Sequence, residues 1–186
     1  MGFHTFETDR ADELEDAAER YRFCSREELH ALVGPHDGMT LADVGSGTGF
    51  YTDALAPHAG AVYAVDVQSA MHDRYREKGV PDSVELVEAG AGDLPFDAGA
   101  LDAVVSTMTF HEFADPDALT EVARVLRPGG RLVTVDWDRD GAGAAGPPRA
   151  ETYSLGDAVS LQTDAGFAVE RAETRPETYV TVARLD

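Results

Sequence analysis

Leu41-Ala42-Asp43-Val44-Gly45-Ser46-Gly47-Thr48-Gly49 begins as an apolar run and ends on three glycines at alternate positions. A short apolar run stopped by turn residues reads as a buried strand, and the chain from about Phe50 onward reads as a helix. Glycines in a strand-to-helix turn let the backbone approach a ligand where a side chain would collide, at the carboxyl end of the strand. The same pattern also describes a tight turn with no ligand, so the loop alone leaves both readings open.

Spacing narrows the choice. A dinucleotide fingerprint requires glycine one place beyond Gly49, where Phe50 stands. That counts against a nicotinamide dinucleotide whose pyrophosphate rests on the helix terminus. The next apolar run, Ala61 to Val65, ends at Asp66, at a distance from the loop suited to an acid that accepts hydrogen bonds from two ribose hydroxyls. Loop and acid together point to a nucleoside.

Further out, Val84 to Val87, Leu101 to Val105 and Leu132 to Val135 complete five apolar runs separated by helical segments. This alternation is the mark of a parallel sheet covered on both faces. Asp115-Pro116-Asp117 supplies a cap, a first-turn proline and a favourable charge for a helix carrying Leu119, Val122, Ala123 and Leu126. Arg127-Pro128-Gly129-Gly130 is expected to end that helix and turn the chain. Asp140 to Arg149, rich in Gly, Ala and Pro, reads as an irregular loop placed to close over a site. Ser154 caps a helix through Leu161, and Phe167–Val169 and Tyr179–Val182 read as two antiparallel strands. Before the sheet, an acidic helix-favouring stretch runs to Arg22, and Ser25 caps a helix presenting Leu29, Leu32 and Val33 before Gly34-Pro35.

The 186 residues are expected to form one domain, with an N-terminal helical cap (1–36), a core (40–137), a loop (138–153) and a C-terminal helix and strands (154–186). Thirty-five acidic residues against 15 basic ones give a formal net charge of -20, and Lys78 is the only lysine. The acids are spread along the whole chain, which reads as a solvation strategy of the kind suited to high internal salt, with the protein halophilic. No basic stripe offsets this field, so nucleic acid is an unfavoured substrate. Cys24 stands alone, which excludes an intrachain disulfide and a paired-cysteine metal site. No apolar run approaches a membrane span, and Met1–Glu7 lacks the basic and apolar regions of a signal peptide, so a cytoplasmic location is expected.

The chain resembles the class I methyltransferase superfamily, and within it the small ubiquinone/menaquinone-biosynthesis-like branch. The resemblance covers about Thr40 to Trp137 and rests on Leu41–Gly49, Val65-Asp66, Gly92-Asp93-Leu94-Pro95-Phe96, Leu101–Val105 and Val125–Leu132. It implies a Rossmann-like α/β fold with a seven-stranded, mostly parallel sheet, helices on both faces and an antiparallel C-terminal strand, and S-adenosylmethionine as cofactor. It further implies that Asp43, Gly45, Ser46, Gly47 and Gly49 cradle the methionine end. Asp66 would hold the ribose, Val67 and Met71 sandwich the adenine, and Gly92, Asp93 and the Leu94 backbone read the adenine edge. Ser106, at the carboxyl edge of the fourth strand beside the glycine loop, would also bind the cofactor.

Methyl transfer from a sulfonium needs a short, aligned approach by the acceptor and a site that excludes water, and no metal. An acceptor that carries a proton also needs a base. His111, after the fourth strand, is the candidate catalytic base, oriented by Glu112 or another acid; the other reading has it only packing beneath the cofactor. Phe3, Phe6, Tyr21 and Phe23 are expected to form an apolar lid with Trp137 and Tyr153 over a small-molecule methyl acceptor. Oligomeric state is not readable from the sequence. Two alternatives stand beside the enzyme: a noncatalytic S-adenosylmethionine binder that regulates a partner, and a nicotinamide-dependent oxidoreductase.

Overall fold

The computed structural model describes residues 8–186, so Phe3 and Phe6 of the expected lid lie outside the described residues. Seven strands form one sheet: β1 (Thr40–Val44), β2 (Ala61–Asp66), β3 (Val84–Glu88), β4 (Leu101–Thr107), β5 (Leu126–Trp137), β6 (Phe167–Thr174) and β7 (Thr178–Leu185). Their order is β3-β2-β1-β4-β5-β7-β6. The pairs from β3 through β5 are parallel, and β7 runs antiparallel to both β5 and β6.

The apolar runs are continuous because both faces of the sheet are covered. Along β4 and β5, Val104 and Leu132 belong to one core, whereas Ala103, Val105, Val133 and Val135 belong to the other, as the two-residue period of a strand requires. The first core receives α6 (Pro116–Val125) through Leu119, Val122 and Val125, and α7 (Leu155–Asp164) through Ala158. The second receives Leu29, Leu32 and Val33 from α2 (Arg26–Val33), and Tyr51 and Leu55 from α3 (Phe50–Leu55). Each of these large side chains contributes about 1.5–3 kcal/mol by leaving water. Cys24 is buried in the same layer, where desolvation pushes its thiol up to about 12, so it packs as a small hydrophobe.

Helix ends follow the capping residues. Ser25 accepts from the Glu28 N–H, Asp115 from the Ala118 N–H, and Ser154 with Asp157 closes a capping box.

Three sequence expectations are corrected. The helix-favouring acidic stretch before Arg22 is α-helical for one turn only: a 3-10 segment over Thr8–Glu15 gives way to α1 (Ala17–Arg20). Asp16 interrupts it by accepting from the Ala18 and Glu19 N–H groups at 3.0 and 3.2 Å, competing with the helical ladder. The Arg127–Gly130 segment does not precede its strand but lies inside β5. Leu101 pairs with Leu126, then Ala103 pairs with Arg131, so the residues between bulge outward where Pro128 lacks a donor and Gly129 adopts φ 77°. The C-terminal strands each extend several residues beyond their apolar centres, because hairpin pairing continues from Phe167↔Leu185 to Thr174↔Tyr179.

Strand order reverses between β1 and β4: from β1 the chain proceeds to β2 on one side, and β4 leads to β5 on the other. At such a switch point the loops leaving the carboxyl ends diverge and open a crevice.

Candidate functional site

The glycine loop sits on that crevice. Gly45 and Ser46 both donate their N–H groups to the Val65 carbonyl, at 2.8 and 3.0 Å, which ties the loop to β2. Two of the three glycines answer to protein neighbours. A Cβ on Gly45 would stand 2.2 Å from the Thr109 side chain, and one on Gly49 2.1 Å from the Tyr75 ring, with φ 79° and 83° respectively. Gly47 instead faces the cavity below Leu14. At the end of β2, Asp66 is 8% exposed and accepts from the Gly47 N–H at 2.8 Å and from the Gln68 N–H at 2.9 Å. A carboxylate has about four lone-pair sites, so each oxygen retains capacity for a hydroxyl donor.

The crevice deepens into a cavity of about 1050 Å³. This is at the upper end for a small-molecule site, with room for a nucleoside cofactor and a second reactant. Of the expected residues, Gly45, Ser46, Gly47, Asp66, Val67, Met71, Gly92 and His111 line it. Val67 is the one exposed large hydrophobic side chain among the described residues, at 54%, and Met71 beside it is buried at 1%, which suits a platform for a flat ring.

The others stand elsewhere. Gly49 caps α3, and Asp43 and Ser106 are buried behind the lining. Asp93 is exposed, and the Leu94 N–H donates to Glu121 Oε1 at 2.9 Å, so that donor is engaged within the protein. The segment from Ala89 to Gly92 lines the cavity at that end instead.

Asp43 is wholly enclosed; its Oδ2 accepts from Thr52 Oγ1 at 2.6 Å, while Oδ1 has no hydrogen-bond partner among the described residues. Burial pushes its carboxyl up to about 6, against the opposing effects of the Thr52 hydrogen bond and the Arg20 charge. Arg20 comes from α1, lines the cavity and leaves its Nε buried without a partner among the described residues. Its guanidinium lies over the Tyr51 ring at 4.9 Å, and burial lowers its pKa. Nothing in the surrounding acidic sequence singles Arg20 out; only the fold of the cap over the loop reveals it.

His111 lies on α5 (Phe110–Phe113), the turn that leaves β4. Just before it, Met108 holds φ 59°, the only positive φ outside glycine among the described residues, at the cavity wall. The His111 side chain is 8% exposed, and Asp136 Oδ1 lies 2.9 Å from its Nδ1. Burial disfavours the charged imidazolium, but the Asp136 charge and hydrogen bond, with Glu112 and Glu151, outweigh this and hold His111 above its ordinary value. Glu112 faces the same cavity, its carboxyl raised by burial to about 7. Asp136, the last residue but one of β5, was within reach of sequence reading only as an acid near a strand terminus.

The lid is partly realised. Phe23 meets Trp137 edge-on at 4.7 Å, and both line the cavity together with Ala144 to Pro148 from the glycine-rich loop. Glu177 holds that loop by accepting from the Gly143 and Ala144 N–H groups at 2.8 and 3.1 Å. Tyr21 packs on Phe50, and Tyr153 donates to the Ala114 carbonyl outside the lining. No group of His, Cys, Asp and Glu among the described residues is arranged to hold a metal ion.

A family model described as a methyltransferase domain matches residues 42–134. Ubiquinone/menaquinone biosynthesis C-methyltransferase UbiE of Idiomarina loihiensis is 32% identical over 114 residues, covering 57% of this chain and 45% of the relative. Demethylmenaquinone methyltransferase of Clavibacter sepedonicus is 37% identical over 107 residues, covering 56% and 44%. The chain thus spans less than half the length of these curated relatives. A SAM-dependent methyltransferase structure from Aquifex aeolicus is 29% identical with a TM-score of 0.88, covering 98% of this chain and 100% of that one. The match reaches half of the sequence and the likeness of fold nearly all of it: the chain belongs to the methyltransferase domain family, and S-adenosylmethionine is its cofactor.

Proposed function

We propose that the protein transfers a methyl group to a small-molecule acceptor that enters beside His111, with His111 as the base that takes the acceptor's proton. The observation that carries this reading is that His111 and the glycine loop line one cavity, so a proton acceptor stands where the second reactant must approach. When bound, the cofactor supplies a methyl on a sulfonium, which is displaced in line: the acceptor's lone pair forms the new bond and the carbon–sulfur pair returns to sulfur.

The residues present fit that cofactor. Arg20 lines the cavity and keeps a buried Nε without a partner among the described residues, a donor suited to a carboxylate, while Asp43 behind the lining keeps an unpartnered Oδ1 whose negative charge favours an ammonium in front of it. Ser46 Oγ, also buried and without a partner among the described residues, and the backbone of Gly45 and Gly47 complete the methionine end. Asp66 holds the ribose hydroxyls, Val67 and Met71 flank the adenine, and Gly92 with the preceding turn borders its edge. Asp93 and Leu94 serve the turn itself. Phe23, Trp137 and the loop from Ala144 to Pro148 keep water from the reacting atoms.

Among the described residues no helix is long and apolar enough to cross a membrane. The acidic surface favours a cytoplasm of high salt and disfavours nucleic acid as acceptor. Methyl release from S-adenosylmethionine should be measured across small phenols, amines and carbon acids, with S-adenosylhomocysteine affinity measured separately. For His111→Ala we expect turnover to fall by about 10²–10⁴-fold with little change in affinity. Unchanged turnover, or a loss confined to affinity, removes the base role.

A further inference from the structure

We infer that Asp136 is the positioning residue that makes His111 a base, by fixing its ring and its tautomer. This rests on the reading of His111 given above. Asp136 is 0% exposed, and His111 is the only hydrogen-bond partner of its carboxylate among the described residues. Its Oδ2 accepts the His111 backbone N–H at 2.6 Å, and its oxygens lie 2.9 and 3.1 Å from Nδ1. One carboxylate therefore grips the same residue at main chain and side chain, across from β5 to the turn after β4.

The consequence is chemical. A carboxylate offers acceptors only, so Nδ1 must carry the proton to satisfy it. The remaining nitrogen, Nε2, then keeps its lone pair, and the ring cannot rotate without breaking the contact. When Nε2 takes a proton, the new imidazolium is stabilised by the buried charge beside it. The other charged groups acting on His111 are Glu112 and Glu151, and both favour the cation. Tyr179, which pairs with Asp136 across β5 and β7, is buried and held neutral by desolvation, so it adds no competing charge. Such a base is useful only for an acceptor that must lose a proton: a hydroxyl, a protonated amine or an acidic C–H. That defines the acceptor class as protic, with the released proton passing to Nε2.

Asp136→Asn separates this from simple packing. The amide keeps the shape but can accept only through one atom, and its NH2 must face either the His111 N–H or Nδ1. The first is a donor facing a donor, and the second forces the proton onto Nε2. In ¹⁵N-labelled wild-type protein, nuclear magnetic resonance should show neutral His111 as the Nδ1–H tautomer. In Asp136→Asn the Nε2–H form should appear, and the His111 midpoint should fall by about 1–3 pH units. Affinity for S-adenosylhomocysteine should stay within about threefold, by calorimetry. A wild-type Nε2–H tautomer overturns the inference even if the variant fails to fold, as does an Asp136→Asn protein with tautomer and midpoint unchanged. If the tautomer is as expected but His111→Ala retains full methyl release, the base reading fails while the positioning geometry stands.

Discussion

Lys78 Nζ lies 3.1 Å from Glu15 Oε1, so the chain's only lysine fastens the N-terminal segment to the body of the protein. The same ammonium is 2.9 Å from Asp53, which also accepts from Tyr75, and Glu15 accepts from Thr48 in the glycine loop. One cation thus joins two acids on different elements beside the loop. Lys78→Ala leaves Glu15 and Asp53 facing each other. The expected cost is about 1 kcal/mol for this partly exposed network, together with weaker S-adenosylhomocysteine binding as the cap loosens. Because screening acts on exposed pairs, the loss should shrink in molar KCl, and Lys78→Arg should restore most of it. Equal melting midpoints for wild type and Lys78→Ala in dilute buffer would show that the clasp carries no energy.

Asp43 gives a pH dependence with a defined sign. Its folded pKa of about 6 exceeds the ordinary 3.8, so across that window the folded chain binds a proton that the unfolded chain has lost. The contribution of Asp43 to stability therefore falls as pH rises from about 4 to about 6. An ammonium bound in the cavity in front of it favours the carboxylate and expels the proton. Affinity for S-adenosylhomocysteine should then rise with pH, by roughly tenfold between about pH 5 and about pH 7.5. Asp43→Asn should bind more weakly, lose that dependence, and melt no lower than wild type at neutral pH, since it removes a desolvated charge. A wild-type affinity that is flat across this range contradicts the assignment.

The sheet and its glycine loop were legible because they depend on short-range signals: apolar runs, turn glycines and caps such as Ser25, Asp115 and Ser154. The bulge at Pro128 and Gly129 was not, since turn chemistry looks the same outside a strand and inside one. The site divides in the same way. Asp66 ends β2, so its place beside the glycine loop follows from spacing along the chain. Arg20 and Asp136 reach their partners only through tertiary packing, across separations that no local pattern encodes. Gly49 was legible as part of a motif but not in its role, because the Tyr75 ring that requires it comes from α4 (Ser69–Lys78).

Arg20 is expected to serve binding at the expense of stability. Its Nε is buried and unpartnered among the described residues, so a carboxylate ligand would satisfy a donor that folding alone does not. Arg20→Met keeps much of the apolar stem over Tyr51 and removes the charge. A lost charge-assisted hydrogen bond is worth about 1.5–3 kcal/mol, or roughly 10- to 100-fold in S-adenosylhomocysteine affinity. The melting midpoint should hold or rise. The informative control is 5'-methylthioadenosine, which lacks the amino-acid end. Its affinity should not change, and an equal loss for both ligands would mean that Arg20 only shapes the cap.

Net charge sets the last prediction. A surplus of 20 acidic charges on one chain repels itself in dilute buffer, whereas the described ion pairs are largely exposed and individually weak. Raising salt weakens both effects, but the repulsion runs over the whole surface and is long-ranged, so its relief should prevail once the screening length falls to about 3 Å at 1 M. The melting midpoint should therefore rise steadily from low to molar KCl, and NaCl should produce most of the same rise, because screening does not distinguish the two cations. A midpoint that stays level or falls would mean that the local pairs, Lys78 with Glu15 and Asp53 among them, govern stability rather than the net field.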